Sequence, residues 1–178
     1  MKRLSLLVLL VALFSYGFSQ PFVKGDNVIG FGLGVGTPIY SGKYYKMWIP
    51  PSYVSYERGI TKKLGIGSIG VGGWIGITGS KYEIGNDGFK YLYTTICARA
   101  AYHFELVEKL DIYAGVMSGF MTTSYSNIGD PGIDPEKDAH MRTSIYGGIR
   151  YYVSPKFALT AEATHNIYYL TIGLAFKF

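Results

Sequence analysis

The sequence contains a single cysteine, Cys97, among its 178 residues. One thiol cannot form an intramolecular disulfide. Protein metal sites are built from several Cys, His or carboxylate ligands at short, regular spacing. The three histidines, His103, His140 and His165, are scattered without such spacing. We therefore predict no disulfide, no metal site and no cofactor.

Charged residues are also scarce, at 16% of the chain, which is little for a surface in water. The mean hydropathy is nevertheless only +0.16, far below that of a helical membrane protein. Glycine (24) and tyrosine (17) are abundant instead. Moderate hydropathy with many aromatic residues is typical of a membrane β-barrel, because only half of each strand faces lipid.

The amino terminus has the pattern of a secretory signal. Two basic residues precede an apolar run over residues 4–14, which is about half of the roughly 20 residues that a spanning helix needs. Gly17 and Ser19 supply small residues for cleavage after Ser19. We predict a signal peptide over residues 1–19 and one domain over residues 20–178; an uncleaved anchor is the alternative. Export and a small net charge of +5 argue against a nucleic-acid partner.

The last nine residues alternate large apolar side chains with small or polar ones. The apolar positions are Leu170, Ile172, Leu174, Phe176 and Phe178. Strict alternation indicates a strand with one apolar face, and a terminal aromatic ring can rest at a membrane interface. An apolar alternation that ends in Phe also resembles the signal read by the outer-membrane insertion machinery. We therefore expect these five residues to form an insertion signal, with the barrel-assembly machinery as a partner.

Seven segments upstream show similar alternation, and together they predict an all-β domain of eight antiparallel strands. The expected strands are residues 28–36, 52–60, 64–78, 90–104, 110–125, 142–153, 157–164 and 170–178. Long connections at 38–51, 79–89 and 126–139 alternate with short turns, as in up-and-down outer-membrane barrels. The third strand changes parity along its length, which a β-bulge near Ser68 would reconcile.

Charged residues within the strands lie on the face opposite to the large aliphatic residues. They are the acids Glu57 and Glu162 and the bases Arg99 and Arg150. A basic residue facing lipid at the bilayer midplane costs roughly 2–4 kcal/mol, so the apolar face must be the outside. A soluble barrel, such as a lipocalin, has the reverse orientation. The fold class predicted is an eight-stranded antiparallel up-and-down transmembrane β-barrel.

These four charged residues also fall at similar distances from the short turns. Side chains fill the lumen of so narrow a barrel, and charges at one level must pair or remain poorly solvated. We expect a lumenal ion-pair network that closes the interior, with Tyr113 and Tyr146 as neighbouring hydrogen-bonding groups. A gate that opens by exchanging ion-pair partners is the alternative. His103 is expected near the rim as a hydrogen-bonding residue.

Aromatic residues cluster towards both ends of the expected strands. Those near the short turns are Tyr102, Phe104, Tyr151, Phe157, Phe176 and Phe178, and those near the long loops are Trp48, Trp74, Phe120 and Tyr168. They predict two aromatic girdles at the membrane interfaces, with ordinary packing as the alternative for any one of these residues. The first long connection adds a candidate surface-contact loop, formed by Tyr40, Lys43, Tyr44, Tyr45, Lys46 and Trp48. This loop could contact lipopolysaccharide phosphates or a host surface, or be an ordinary solvated loop.

Several segments support a resemblance to a known family. They are Arg99-Ala100-Ala101-Tyr102-His103-Phe104 before a short turn, Tyr113-Ala114-Gly115, Gly148-Ile149-Arg150-Tyr151-Tyr152 and the terminal alternation. With them the chain resembles the small eight-stranded outer-membrane proteins of the OmpA transmembrane-domain and OmpX type. The resemblance implies a monomer in the Gram-negative outer membrane, in contact with lipid and lipopolysaccharide, with lumenal clusters of charged residues.

Catalysis is not expected. Some small barrels modify lipopolysaccharide, but His165 is followed by Asn166-Ile167 and does not form the His-x-Ser pair of the outer-membrane deacylase. Two function classes remain. The first is a non-catalytic barrel that supports envelope integrity or surface contact through its loops. The second is a porin-like channel or gate for small solutes.

Overall fold

The computed structural model describes residues 22–39, 42–85, 87–129 and 138–178. Eight antiparallel strands make up most of these ranges: β1 (Asn27–Val35), β2 (Tyr45–Gly59), β3 (Gly67–Ile84), β4 (Asp87–Val107), β5 (Leu110–Ile128), β6 (Asp138–Tyr152), β7 (Phe157–Thr164) and β8 (Leu170–Lys177). Each strand pairs with the next, and β1 pairs with β8, so the sheet is a closed barrel. The predicted eight-stranded architecture is confirmed. The expected signal peptide, residues 1–19, lies outside the described residues.

The barrel has two distinct ends. The near end carries the start of β1, the end of β8 and the short β2–β3, β4–β5 and β6–β7 turns. The far end carries the connections that the sequence predicts to be long. Nowhere in the described ranges is there a helix of the length and apolarity needed to cross a bilayer.

The strands extend farther at the far end than the sequence predicts. The prediction of a long loop over residues 79–89 is wrong, because β3 extends to Ile84 and β4 begins at Asp87. The loop expected over residues 38–51 is largely strand as well, since β2 begins at Tyr45. Its pairing with β3 shifts in register between Met47 and Ile49, and again between Ile49 and Ser52, where Pro50 and Pro51 interrupt it. Large and polar residues do not alternate regularly in these extensions, so the sequence pattern does not mark them as strands.

The bulge expected near Ser68 is also wrong. β3 pairs with β4 without a register shift from Gly67 opposite Phe104 to Ile84 opposite Asp87. The change of parity has a simpler cause, because β3 begins at Gly67. Leu64 and Ile66 therefore belong to the preceding turn. Both are exposed there, and the alternation of inward and outward residues along β3 does not apply to them.

Aliphatic side chains cover the outside of the barrel. Ile145 is 76% exposed and Ile172 is 65% exposed, and the same outward parity continues around all eight strands. Side chains of the opposite parity fill the interior. Glycines at alternate β1 positions make room for them: a Cβ added to Gly32 would lie 2.3 Å from the ring of Tyr53.

The interior contains two apolar clusters. One occupies the far half and includes Tyr53, Trp74, Tyr93, Met117 and Tyr168. The smaller one, at the near end, consists of Phe22, Val28, Tyr152, Ala158 and Ala175. Trp74 and Tyr168 are at most 1% exposed, so their assignment to an outer aromatic girdle is wrong. Their parity sets them inside, because Trp74 lies opposite the inward residue Cys97.

Candidate functional site: the lumenal charge cluster

Four strands bring their charged residues together inside the barrel. Glu57 on β2, Arg99 on β4, Arg150 on β6 and Glu162 on β7 are each at most 3% exposed. Arg99 Nη2 donates to Glu162 Oε2 at 2.9 Å, and Arg150 Nη2 donates to Glu57 Oε2. Neither pair joins neighbouring strands, so both ion pairs span the lumen.

Two further residues complete the cluster on the near side. His103 Nε2 lies 3.0 Å from Glu57 Oε1, and its Nδ1 lies 2.8 Å from Asp111 Oδ1. Arg150 Nη1 also donates to Asp111 Oδ2 at 3.1 Å. His103 forms hydrogen bonds near the end of β4, as expected, but it has no exposed surface and belongs to the interior. A register argument could have found Asp111, because it shares the inward parity of Tyr113 and lies directly opposite Arg150.

The contacts of His103 favour its protonated form. Both ring nitrogens face carboxylate oxygens, and a carboxylate oxygen can only accept a hydrogen bond. The imidazolium form can donate to both oxygens, whereas the neutral ring has a single N–H. The cluster then holds three acids and three bases, so it is electrically neutral although it is buried.

Tyrosine side chains supply further hydrogen bonds to Arg99 and Glu162, although Arg99 Nη1 is buried without a hydrogen-bond partner. Tyr113 donates its hydroxyl to Glu162 Oε2 at 3.0 Å, and Tyr168 donates to Oε1 at 2.5 Å. Arg99 Nε donates to the Tyr146 hydroxyl at 2.9 Å, and its guanidinium carbon lies 4.0 Å from the centre of a Tyr146 ring. These contacts offset part of the cost of removing the charges from water.

The segment before β1 covers the cluster from the near end. Phe22 is completely buried, and its ring stacks on His103 with 4.0 Å between ring centres. Its carbonyl oxygen accepts a hydrogen bond of 2.7 Å from Ser68 Oγ. Gly70 leaves the necessary space, because a Cβ there would lie 2.7 Å from the Phe22 ring. The ring therefore forms the floor of the charge cluster.

The five residues of the expected insertion signal are on the outside of the barrel. Leu170, Ile172, Leu174, Phe176 and Phe178 are between 44% and 65% exposed. The first four lie on β8, and the backbone of the last pairs with Asn27 at the near end. Nothing in their contacts tests recognition by an assembly machinery, so that role stays a prediction.

The structure divides the expected surface-contact loop between two elements. Lys43 and Tyr44 lie in the connection, whereas Tyr45, Lys46 and Trp48 belong to β2, and Tyr40 lies outside the described residues. Trp48 is 43% exposed and donates from Nε1 to the Tyr91 carbonyl oxygen at 3.2 Å. Tyr45, Lys46 and Trp48 are therefore held on an extension of the sheet.

The other histidines lie apart from the cluster. His140 Nδ1 lies 2.7 Å from Asp138 Oδ2 on the exposed far part of β6, and His165 contacts the ring of Tyr169. Within the part of the chain that the structure describes, no group of three or more His, Cys, Asp or Glu residues is arranged to hold a metal ion.

Comparison with solved structures identifies the fold. The attachment invasion locus protein Ail of Yersinia pestis, in complex with the heparin analogue sucrose octasulfate, matches with a TM-score of 0.57 at 14% identity over 88% of this chain and 100% of that chain. The outer membrane protein OprG of Pseudomonas aeruginosa matches with a TM-score of 0.54 at 10% identity over 89% and 98%. The chain has the fold of the small outer-membrane β-barrels. No protein-family model and no curated protein matches the sequence.

Proposed function

We propose that this chain is a non-catalytic, integral outer-membrane β-barrel with a closed lumen, which supports envelope integrity or surface contact through its far end. The observation that carries the proposal is the separation of the two faces. Buried ion pairs and tyrosines lie inside, and exposed aliphatic residues lie outside. This arrangement is stable in lipid, because the closed sheet satisfies its own backbone groups.

The outer surface supports a membrane location. Exposed aliphatic residues follow one another from strand to strand, as Val116 and Ile145 do on β5 and β6 or Leu159 and Leu174 on β7 and β8. A continuous apolar surface of this kind is a liability in water and an advantage in lipid. The near end, with its short turns, then faces the periplasm.

Three successive layers of side chains support a closed lumen. Phe22 covers the periplasmic side, the two cross-lumen ion pairs fill the middle, and stacked aromatic rings lie beyond them. In that third layer Tyr53 stacks against Trp74 and Tyr168, with 5.9 and 5.6 Å between ring centres. Solutes could pass only if all three layers moved.

Conductance across a planar lipid bilayer tests the closed lumen. We expect the refolded protein to insert without producing steady single-channel steps. The contrary result, steps of reproducible size, would favour the channel or gate. If such a gate worked by exchange of ion-pair partners, Glu162→Gln would change the step size or open probability. Glu105→Gln, at the near-end pair with the exposed Lys63, would not.

The surface-contact role needs a separate test. Replacing residues 130–137 by a Gly/Ser stretch of equal length changes the connection between β5 and β6 and leaves the residues of both strands in place. We expect such a variant to fold and to reach the outer membrane, while sensitivity of the cells to detergent, or their adhesion, changes. If neither detergent sensitivity nor adhesion changes, this connection has no role in envelope integrity or surface contact.

A further inference from the structure

Three lysines form one row across the far part of the sheet. In the strand register Lys46 on β2 lies opposite Lys81 on β3, and Lys81 lies opposite Lys90 on β4. Directly opposed residues project from the same face of a sheet. Because neighbouring strands are about 4.8 Å apart, the row brings three positive charges within about 10 Å. Like charges placed directly opposite each other destabilise a sheet.

The row faces outward, just beyond the apolar belt. Lys81 has the parity of the exposed residues Ile75 and Ile77, and β3 has no register shift with β4 between them. It stands four residues beyond Ile77, which is about 10 Å farther along the axis of a tilted barrel. Trp48 lies between these two levels, packed across Gly79. An aromatic ring at this position is typical of the membrane interface.

Nearby acids do not balance the lysines. Glu83 Oε1 accepts a hydrogen bond of 2.9 Å from Lys81 Nζ, and Asp87 stands at the tip of the β3–β4 hairpin. Lys43, at the start of the same extension, adds a fourth positive charge and lies 6.0 Å from the Tyr44 ring. Lys90 Nζ lies 5.9 Å from the centre of a Trp48 ring. Among the described residues of this surface, four bases therefore accompany two acids.

We propose that the row of Lys46, Lys81 and Lys90, here called the lysine row, binds the phosphate groups of an outer-leaflet glycolipid. This inference deepens the proposed function and rests on it, because the row reaches lipid headgroups only if the barrel spans the outer membrane. An anion shared by three lysines converts their mutual repulsion into attraction. The acyl chains of the same lipid would lie along the apolar belt below.

The position of the row favours a membrane lipid over a soluble polyanion. The lysines project sideways from the barrel wall, on the same face as Ile77 and next to Trp48. They do not lie at the hairpin tip, which Ile84 and Asp87 form. A soluble sulfated polysaccharide would reach the tip more easily than the wall. The wall is where a lipid lies beside the barrel.

Titration of the refolded protein in detergent micelles with purified lipid A tests the inference. The Trp74→Phe background leaves Trp48 as the only tryptophan, so its fluorescence reports on the row. We expect phosphorylated lipid A to bind with about tenfold higher affinity than lipid A stripped of both phosphates, as three partly exposed ion pairs would provide. The triple variant Lys46→Gln, Lys81→Gln, Lys90→Gln should lose that difference.

A matched variant controls for net charge. Lys24, Lys62 and Lys156 are exposed at the near end, and changing all three to Gln removes the same charge far from the row. This control should keep the preference for phosphorylated lipid A. Equal affinity for the two lipids, or an equal loss in both triple variants, would overturn the inference. So would a lysine-row variant that loses binding to sucrose octasulfate but keeps its preference among the lipids.

Fractionation separates this inference from the proposed function. If the wild-type chain is absent from the outer membrane, the proposed function fails and the lysine row has no lipid to bind. If the chain is in the outer membrane but the lysine-row variant binds lipid A like the wild type, only the lysine-row inference fails. Heat-modifiable migration on gels shows whether each variant is folded before it is titrated.

Discussion

Arg99 and Glu162 form an ion pair across the barrel, with 2.9 Å between Nη2 and Oε2, although they are separated by 63 positions in the chain. Two strands lie between theirs on one side of the sheet, so the contact does not follow from strand pairing. It connects opposite walls of the lumen. Both side chains are at most 1% exposed, which makes the pair sensitive to loss of either partner.

Glu162→Gln should lower the free energy of unfolding by roughly 3–5 kcal/mol, because it leaves the Arg99 guanidinium buried without its counter-charge. Urea titration of the protein in lipid vesicles measures the change. The comparison variant is Glu105→Gln, whose partner Lys63 is 61% exposed in its side chain; it should cost less than about 1 kcal/mol. Equal costs for the two variants would contradict a structural role for the lumenal pair.

Ile145→Lys tests which face of the barrel meets lipid. Ile145 is 76% exposed and lies in the middle of β6. A lysine at the bilayer midplane should cost roughly 2–4 kcal/mol in vesicles. Met141→Lys, four residues nearer the far end, should cost much less because its ammonium group can reach the headgroups. A barrel that folds in water would tolerate both changes, and such a result would reject the membrane orientation.

Gly32→Ala should destabilise the barrel because the Tyr53 ring lies where the new methyl group would be, at 2.3 Å. Tyr53 stacks against Tyr168 and cannot move freely, so overpacking of roughly 1–3 kcal/mol is expected. Gly73→Ala is the matched control, since the nearest atom to its added Cβ is the Cys97 carbonyl oxygen at 3.9 Å. Thermal unfolding monitored by gel migration compares the two. Equal unfolding temperatures for the two variants would show that the stacked rings can rearrange to accept the methyl group.

Phe178→Ser tests the expected insertion signal. Phe178 is 54% exposed and contributes little to the interior, so refolding in detergent should be unchanged. In cells, however, the variant should accumulate outside the outer membrane if the terminal ring is recognised during assembly. Phe157→Ser removes a similarly exposed ring near the same end, and it should assemble normally. If both variants assemble equally well, recognition does not depend on the terminal ring.

Much of the fold follows from local alternation. The period of two marks the inward and outward residues of β4, β5, β7 and β8, because each strand contributes its own apolar face. Alternation does not mark the strand where large and polar residues do not alternate, as at Tyr45–Ile49 and at Gly79–Ile84. The girdle assignment of Trp74 and Tyr168 was also wrong, because the residue type alone does not distinguish an interfacial ring from a lumenal one.

The sequence by itself determined the eight strands, the closed architecture and the inward parity of Glu57, Arg99, Arg150 and Glu162. Only the tertiary structure decided which charges pair, that His103 and Asp111 complete the cluster, and that Phe22 covers it. The physical reason is the separation along the chain over which each feature is determined. Side-chain alternation is a property of consecutive residues, whereas a contact across the lumen depends on the register and tilt of every strand between the two partners.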